Sequence, residues 1–179
     1  METEYLKYFQ EVDNTELYNL MTQYGDDVWR YAYALTGNYE QSNDIAQEVF
    51  LKVHLKMSTF RGQSSFKTWL FSITRNIAIN EMKSSYFRRI LLFGNVKSTR
   101  TVQSAEVSYM ANQAAADLRE IIMGLSRKLR EVLILSLEHE LTIQEIAELL
   151  HISEGTVKSR MSRARKEVEK RWGNLNHES

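Results

Sequence analysis

The chain has 179 residues and no net charge, and its 43% hydrophobic and 11% aromatic content can support packed cores, which argues against wholesale disorder. It contains no cysteine, so disulfides and thiolate metal sites are excluded and a reducing compartment fits. Its acidic start, METEYLKYFQEVD, lacks the pattern of a secretory signal, and no run of about 18 apolar residues exists to span a membrane. We therefore expect a cytoplasmic protein with no membrane insertion.

The zero net charge is an average of segments with opposite signs. Residues 1–50 hold ten acidic and two basic residues, whereas residues 51–100 hold ten basic residues and one acidic residue. Residues 101–150 carry eight acidic and four basic residues, and residues 151–179 carry four acidic and seven basic ones. This alternation suggests two modules, each with one acidic and one basic surface.

The spacing of apolar residues predicts an all-α fold. There is no proline, and apolar residues recur every three or four positions without sustained strand alternation. The first predicted helix stops near TGN at 36–38, the second covers 41–57, and the third follows the turn STFRGQSS. The residues expected to face the core of these helices are Leu17, Leu20, Met21, Tyr24, Val28, Tyr31, Leu35, Ile45, Val49, Val53, Phe66, Trp69, Leu70, Ile73 and Ile77.

The helical pattern weakens over residues 85–112, which are rich in serine and threonine, and it returns from residue 113. We expect two small helical domains, 1–84 and 113–179, joined by a linker over 85–112. The apolar burst FRRILLF within that linker is also compatible with a longer third helix.

Near the C-terminus, the stretch LTIQEIAELLHISEGTVKSRMSRARK predicts two short-linked helices. Thr142 and Glu145 have the spacing of a capping box, and Ser153 can cap the second helix. The side chains expected to face inward are Ile143, Ile146, Ala147, Leu150, Val157, Met161, Ala164 and Val168. The polar and basic arc on the opposite side of the second helix holds Lys158, Ser159, Ser162, Arg163 and Lys166, with Thr156 and Arg160 at its edge.

This arrangement is typical of a helix-turn-helix, whose second helix enters the major groove of DNA. A basic amphipathic helix alone is more often a solvated surface, but here the cap, the small Ala147, the short turn and the basic second helix occur together. His151 stands where many such turns have glycine.

The N-terminal module has two candidate interaction surfaces. The 41–57 helix presents Asp44, Gln47, Glu48 and Leu51 on one outward arc, which indicates either a protein-docking surface or a solvated acidic face with one stray leucine. On the third helix, the arc opposite the core is expected to carry Thr68, Ser72, Arg75, Ile79 and Lys83, flanked by Asn76.

Arginine and asparagine contact phosphates and base edges, so this arc is a second candidate for nucleic-acid binding. The aromatic side chains of Phe60 and Phe66 could stack on an unpaired base, although aromatic residues at helical spacing more often belong to a core.

Two stretches resemble one protein family. NDIAQEVFLKVHLKMSTFRGQSSFKTWLFSITRNIAIN resembles region 2 of bacterial sigma factors of the extracytoplasmic-function (ECF) group, and LSRKLREVLILSLEHELTIQEIAELLHISEGTVKSRMSRARKEV resembles region 4. Together they cover close to half of the chain in the expected order. Two departures occur: Ser126 stands where the family usually has proline, and HEL at 139–141 replaces a commoner turn that contains glycine.

The resemblance implies a promoter-recognition subunit of RNA polymerase, acting on a stress or envelope-response regulon. By motif position, Asp44, Gln47, Glu48 and Leu51 would dock on the clamp helices of the largest polymerase subunit. The −10 element would be opened and read by Phe60, Arg61, Ser65, Thr68, Arg75, Asn76 and Asn80. The −35 element would be read by Thr156, Lys158, Ser159, Arg160 and Arg163. Members are often held inactive by a membrane-anchored anti-sigma factor, so such a partner is expected.

Other functions predict different behaviour. A stand-alone helix-turn-helix regulator would bind an operator tightly without polymerase, and a helical adaptor would bind an acidic protein without contacting DNA. An enzyme is not expected, because the four histidines are scattered and there is no phosphate loop, nucleophile-and-base set or metal-ligand spacing. We accordingly expect no cofactor and no metal.

Overall fold

The computed structural model describes residues 15–93 and 113–177, with side chains over 17–84 and 115–175. Every regular element in these ranges is a helix, which confirms the predicted all-α class. The chain divides into two compact units between Val102 and Gln103. No helix in the described ranges is both long and apolar enough to cross a membrane.

The N-terminal unit contains three α-helices: α1 (Thr15–Thr36), α2 (Tyr39–Lys56) and α3 (Phe66–Phe93). A sharp turn joins the first two, because Gly37 adopts a φ of 66° and its N–H donates to the carbonyl of Tyr33 over 2.8 Å. Asn38 then begins α2, and its side-chain oxygen accepts a hydrogen bond from the Gln41 N–H. A 3-10 turn, Met57–Thr59, follows α2 and leads into an exposed loop before α3.

The three helices pack on one another around a core that the sequence largely predicts. Val28, Tyr31, Val49 and Leu70 are fully buried, as expected from their spacing. Phe71 was not among the expected core residues, yet it is fully buried with its ring centroid 5.2 Å from that of Tyr31. Truncating so large a buried ring to alanine costs about 3–5 kcal/mol, so Phe71 contributes strongly to this core.

Helix α3 passes the boundary expected at residue 84 and continues to Phe93. The segment FRRILLF therefore belongs to a longer α3, which was one of the two interpretations offered by the sequence. The rest of the expected linker, 94–112, lies outside the described residues.

The C-terminal unit contains α4 (Gln113–Gly124), α5 (Arg127–Leu137), α6 (Ile143–Leu150) and α7 (Glu154–His177). Helix α7 packs against the other three, and the buried residues between them include Leu125, Leu135, Ile146, Val157 and Ala164. The buried Arg130 side chain donates through Nη1 to the carbonyl of Met123 over 2.5 Å, which ties α5 to the end of α4.

One expected core residue of this unit lies elsewhere. Ile143 was predicted to face inward, but it is 36% exposed, whereas Leu141 and Leu149 are buried. Ile143 is the first residue of α6, and helical side chains lean toward the N-terminus, so its side chain projects past the end of the helix. Leu141, which precedes the helix, is buried instead.

Candidate nucleic-acid and protein interfaces

Helix α6 begins with the predicted capping residues. Thr142 Oγ1 accepts from the Glu145 N–H at 3.2 Å, and Glu145 Oε2 accepts from the Thr142 N–H at 2.9 Å, which completes the capping box. At the other end of α6, His151 adopts φ 54° and ψ 50°, the left-handed conformation that glycine usually provides. The departure from glycine thus leaves the turn conformation in place, with the Ile152 N–H donating to the Ala147 carbonyl over 3.1 Å.

Ser153 begins α7 as predicted. Its hydroxyl accepts from the Thr156 N–H at 3.2 Å and lies 2.9 Å from the Thr156 hydroxyl. Val157, Met161 and Ala164 are buried beneath the helix. Because this stripe fixes the rotation of α7, the polar arc opposite it faces outward.

Three of the five residues expected to read DNA on α7 carry a positive charge. Lys158 and Arg163 are exposed and Arg160 is half-buried. Lys158 Nζ lies 3.7 Å from a Glu154 carboxylate oxygen, in an ion pair whose partners are both more than half exposed. Such pairs contribute little to stability, so Lys158 can leave Glu154 for a phosphate or a base edge at small cost.

The loop before α3 is closed by aromatic contacts. The Phe60 ring, at the start of the loop, lies 5.0 Å from the Trp69 ring and 5.8 Å from the Phe66 ring. Phe66 in turn lies 5.4 Å from Tyr24 of α1. The half-buried rings therefore pack on each other, while Arg61 and Ser65 are exposed.

Thr68 does not lie on the outward arc of α3, and that expectation was wrong. It is only 4% exposed, and its hydroxyl lies 2.8 Å from the Ser65 hydroxyl, which also accepts from the Thr68 N–H at 3.1 Å. These two hydrogen bonds join the first turn of α3 to the residue that precedes the helix. Thr68 thus holds Ser65 and the loop in position.

The remaining predicted residues of α3 lie along its outer side. Asn76 and Asn80 are exposed and Arg75 is half-buried. Asn76 and Asn80 are one turn apart on the same face, about 6 Å along the axis. Near the helix start, Lys67 Nζ lies 3.2 Å from an Asp27 carboxylate oxygen, which fastens α3 to α1.

Helix α2 presents the predicted acidic face. Asp44 and Glu48 are exposed, Gln47 is half-buried, and Leu51 is 49% exposed. Sequence reasoning missed Leu55, which is 76% exposed one turn further along the same face. The i, i+4, i+7, i+11 spacing of residues 44, 48, 51 and 55 was the pattern that could have revealed it.

Comparisons with known proteins agree with this anatomy. Residues 20–88 match the family described as Sigma-70 region 2, and residues 115–168 match Sigma-70, region 4. The RNA polymerase sigma factor YlaC of Bacillus subtilis is 31% identical over 159 residues, covering 85% of this chain and 89% of that protein. The ECF RNA polymerase sigma factor SigX of the same bacterium is 30% identical over 89% of this chain and 84% of its own length. The chain belongs to the ECF sigma factors. SigW, an ECF sigma factor of the same bacterium, is 28% identical to this sigma factor over 95% of the chain and 96% of its own length.

A solved structure has the same fold. The sigma factor RpoE from Bartonella quintana, crystallised with the anti-sigma factor NepR, superimposes with a TM-score of 0.78 at 21% identity, over 89% of this chain and 98% of that one. With both sigma regions present in one chain, the alternative of a stand-alone helix-turn-helix regulator is not favoured. Sigma factors as a family are not enzymes.

At both positions where this sigma factor departs from the family pattern, the backbone conformation is well defined. Ser126, in the place of the usual proline, has φ −58° and ψ 145°, and its carbonyl accepts from the N–H groups of Leu129 and Arg130. This φ is the one that proline itself imposes. In the HEL turn, Glu140 has φ 58°, so a non-glycine residue takes the left-handed position there.

Proposed function

We propose that this sigma factor docks on core RNA polymerase through the outer face of α2. The observation that supports this assignment is the exposure of Asp44, Glu48 and Leu51 on one side of a helix whose other side is fully buried. Exposed carboxylates beside exposed leucines suit a partner that offers both basic and apolar groups. Gln47, half-buried at the edge of this face, adds hydrogen-bonding groups.

The N-terminal unit also contains our candidate for the −10 reader. We assign Arg61, Ser65, Arg75, Asn76 and Asn80 to contacts with the −10 element, with Phe60 at the mouth of the loop. The charges and amides suit phosphates and base edges, and the loop side chains Arg61 and Ser65 are exposed. Trapping an unpaired base would offset an unstacking cost of about a few kcal/mol.

We assign the −35 element to Thr156, Lys158, Ser159, Arg160 and Arg163 of α7. Support comes from the rotation of the helix, which directs this arc away from the buried stripe. The hydroxyls of Thr156 and Ser159 already bond to groups within the helix and its cap. We therefore attribute most of the discrimination to the three basic side chains.

An inhibitory partner belongs to the same proposal. Among the structural neighbours, the sigma factor RpoE was crystallised with the anti-sigma factor NepR, and CnrH was solved in complex with the cytosolic domain of CnrY. We propose that this protein is likewise held inactive by an anti-sigma factor, anchored in the membrane, and that it acts in the cytoplasm.

Charge reversal on α2 tests the docking assignment. We expect the double change Asp44→Lys and Glu48→Lys to abolish co-purification with core polymerase, because it places two positive charges on the face that meets a basic partner. The matched control is Asp26→Lys, which reverses an exposed carboxylate on α1. Co-purification of the double variant at the wild-type level, with its helical content unchanged, would refute the proposal.

A further inference from the structure

The second residue of α7, Gly155, is a glycine that the fold itself does not require. Gly37 needs its glycine for a φ of 66°, and at Gly124 a Cβ would lie 2.5 Å from Arg171 Nη1. Gly155 instead lies within a helix and has no positive φ. Apart from its chain neighbours and its own helix backbone, a Cβ built there would meet only Ser153 Oγ within the described residues, at 3.9 Å, which is an ordinary van der Waals contact. Alanine would therefore fit at this position.

Glycine at this position weakens the helix that carries it. It loses more conformational freedom on folding than alanine does, and alanine is the better helix former. Because the backbone conformation and the space around Gly155 both accept a methyl group, the C-terminal unit gains no stability from the missing side chain. The missing side chain is thus expected to serve a contact with another molecule.

Gly155 lies in the middle of the outward side of α7. At about 100° per residue, it is about 160° around the helix from Val157, whose side chain is fully buried. Gly155 is exposed, and it lies one turn before Lys158 and Ser159, which are both assigned to the −35 element. A molecule that contacts those two side chains therefore also passes over Gly155.

The dimensions of DNA make such a position sensitive to a single methyl group. The major groove is about 12 Å wide and a helix with its side chains is about 10–12 Å across, so a helix in the groove fits tightly. In a helix-turn-helix, the N-terminal residues of the second helix contact the base edges. Gly155 is in the first turn of that helix, and the exposed Lys158 and Arg163 add positive charge on either side of it. Its position therefore favours a close approach to duplex DNA.

We infer that Gly155 is a positioning residue for −35 recognition, because its missing side chain lets the first turn of α7 come into van der Waals contact with duplex DNA. That approach brings Lys158 and Ser159 within reach of the base edges. The inference rests on the proposed assignment of α7 to the −35 element, and it adds a residue that sets how deeply the helix enters the groove. A side chain at this position holds the helix away from the DNA and so weakens the contacts of its neighbours.

Substitutions at two glycines of α7 test the inference in the full-length protein. Gly155→Ala should raise the urea midpoint of unfolding or leave it unchanged, because alanine favours the helix. It should nevertheless weaken binding of the assembled holoenzyme to a promoter fragment found by run-off transcription by about fivefold, and the larger Gly155→Leu by up to about 150-fold. The matched control is Gly173→Ala, because a Cβ at Gly173 would also meet nothing within 4 Å and the residue lies beyond the matched region 4. This control should leave binding unchanged.

Opposite changes in stability and DNA binding distinguish a positioning role from a structural one. The inference is overturned if Gly155→Ala binds the promoter fragment as tightly as the wild type does, or if it loses binding and also unfolds at a lower urea concentration. Lys158→Ala separates this inference from the −35 assignment. If Lys158→Ala weakens binding while Gly155→Ala does not, only the inference is wrong, whereas unchanged binding in both variants contradicts the assignment of α7 as well.

Discussion

Single residues set the geometry of the C-terminal unit at its bends. Ser126 begins α5 with a backbone φ of −58°, and its carbonyl receives two helical N–H groups. No hydrogen bond from the Ser126 N–H or its hydroxyl occurs in the part of the chain that the structure describes. Within the described residues, proline at this position would therefore remove no hydrogen bond that Ser126 donates, and the carbonyl bonds would remain.

Replacing Ser126 by proline should stabilise the protein. Proline fixes the φ that Ser126 already has and reduces the freedom of the unfolded chain, so we expect a gain of about 0.4–1 kcal/mol in the free energy of unfolding. This gain can be measured by urea unfolding of the wild type, the Ser126→Pro variant and the control variant Ser126→Ala. A lower urea midpoint for the proline variant would contradict this prediction. It would mean that the proline ring clashes with Leu125 or that loss of the N–H is destabilising.

Sequence spacing identified most residue positions, and its failures have physical causes. The capping box and Ser153 were readable because capping depends on near neighbours in the chain. Thr68 was misplaced because its hydroxyl bonds to Ser65 at the start of α3, a contact that helical periodicity alone does not reveal. Ile143 was misplaced because a helix end breaks the periodicity on which the prediction relied.

At the scale of single helices, α7 has a buried apolar stripe on one side and a basic arc on the other. We assigned binding of the −35 element to the basic arc. Lys158 and Arg160 lie in the first two turns after the Ser153 cap. Lys170 is also exposed on α7, but it lies beyond the matched region 4, which ends at residue 168. Lys170 therefore serves as a control for the loss of one positive charge from α7 outside the proposed −35 contacts.

Removing a basic side chain from the arc should weaken use of a dependent promoter. We expect Lys158→Ala or Arg160→Ala to reduce −35 binding by the assembled holoenzyme about 5- to 150-fold, equivalent to about 1–3 kcal/mol, if the contact is to a base edge. Lys170→Ala should have little effect. Equal losses for all three variants, with a steeper effect at low salt, would indicate non-specific attraction instead.

At the scale of the whole molecule, two units share recognition. The acidic segment 1–50 includes the carboxylates of the proposed docking face, and the basic segment 51–100 includes the proposed −10 reader. Because net charge is zero, we expect the free protein to have little non-specific attraction for DNA. We also expect the two proposed readers to gain strength when polymerase holds both near one promoter. The two-region organisation was predictable because each region has its own local motif.

Promoter-directed initiation is the central claim, and run-off transcription tests it most directly. Core polymerase, purified from the organism that encodes this chain, is incubated with sheared genomic DNA, with and without the full-length protein. We expect new start sites only when the wild-type protein is added, and none with the Asp44→Lys and Glu48→Lys variant. If the wild-type protein produces no new start sites, or if the variant produces the same ones, the account is contradicted.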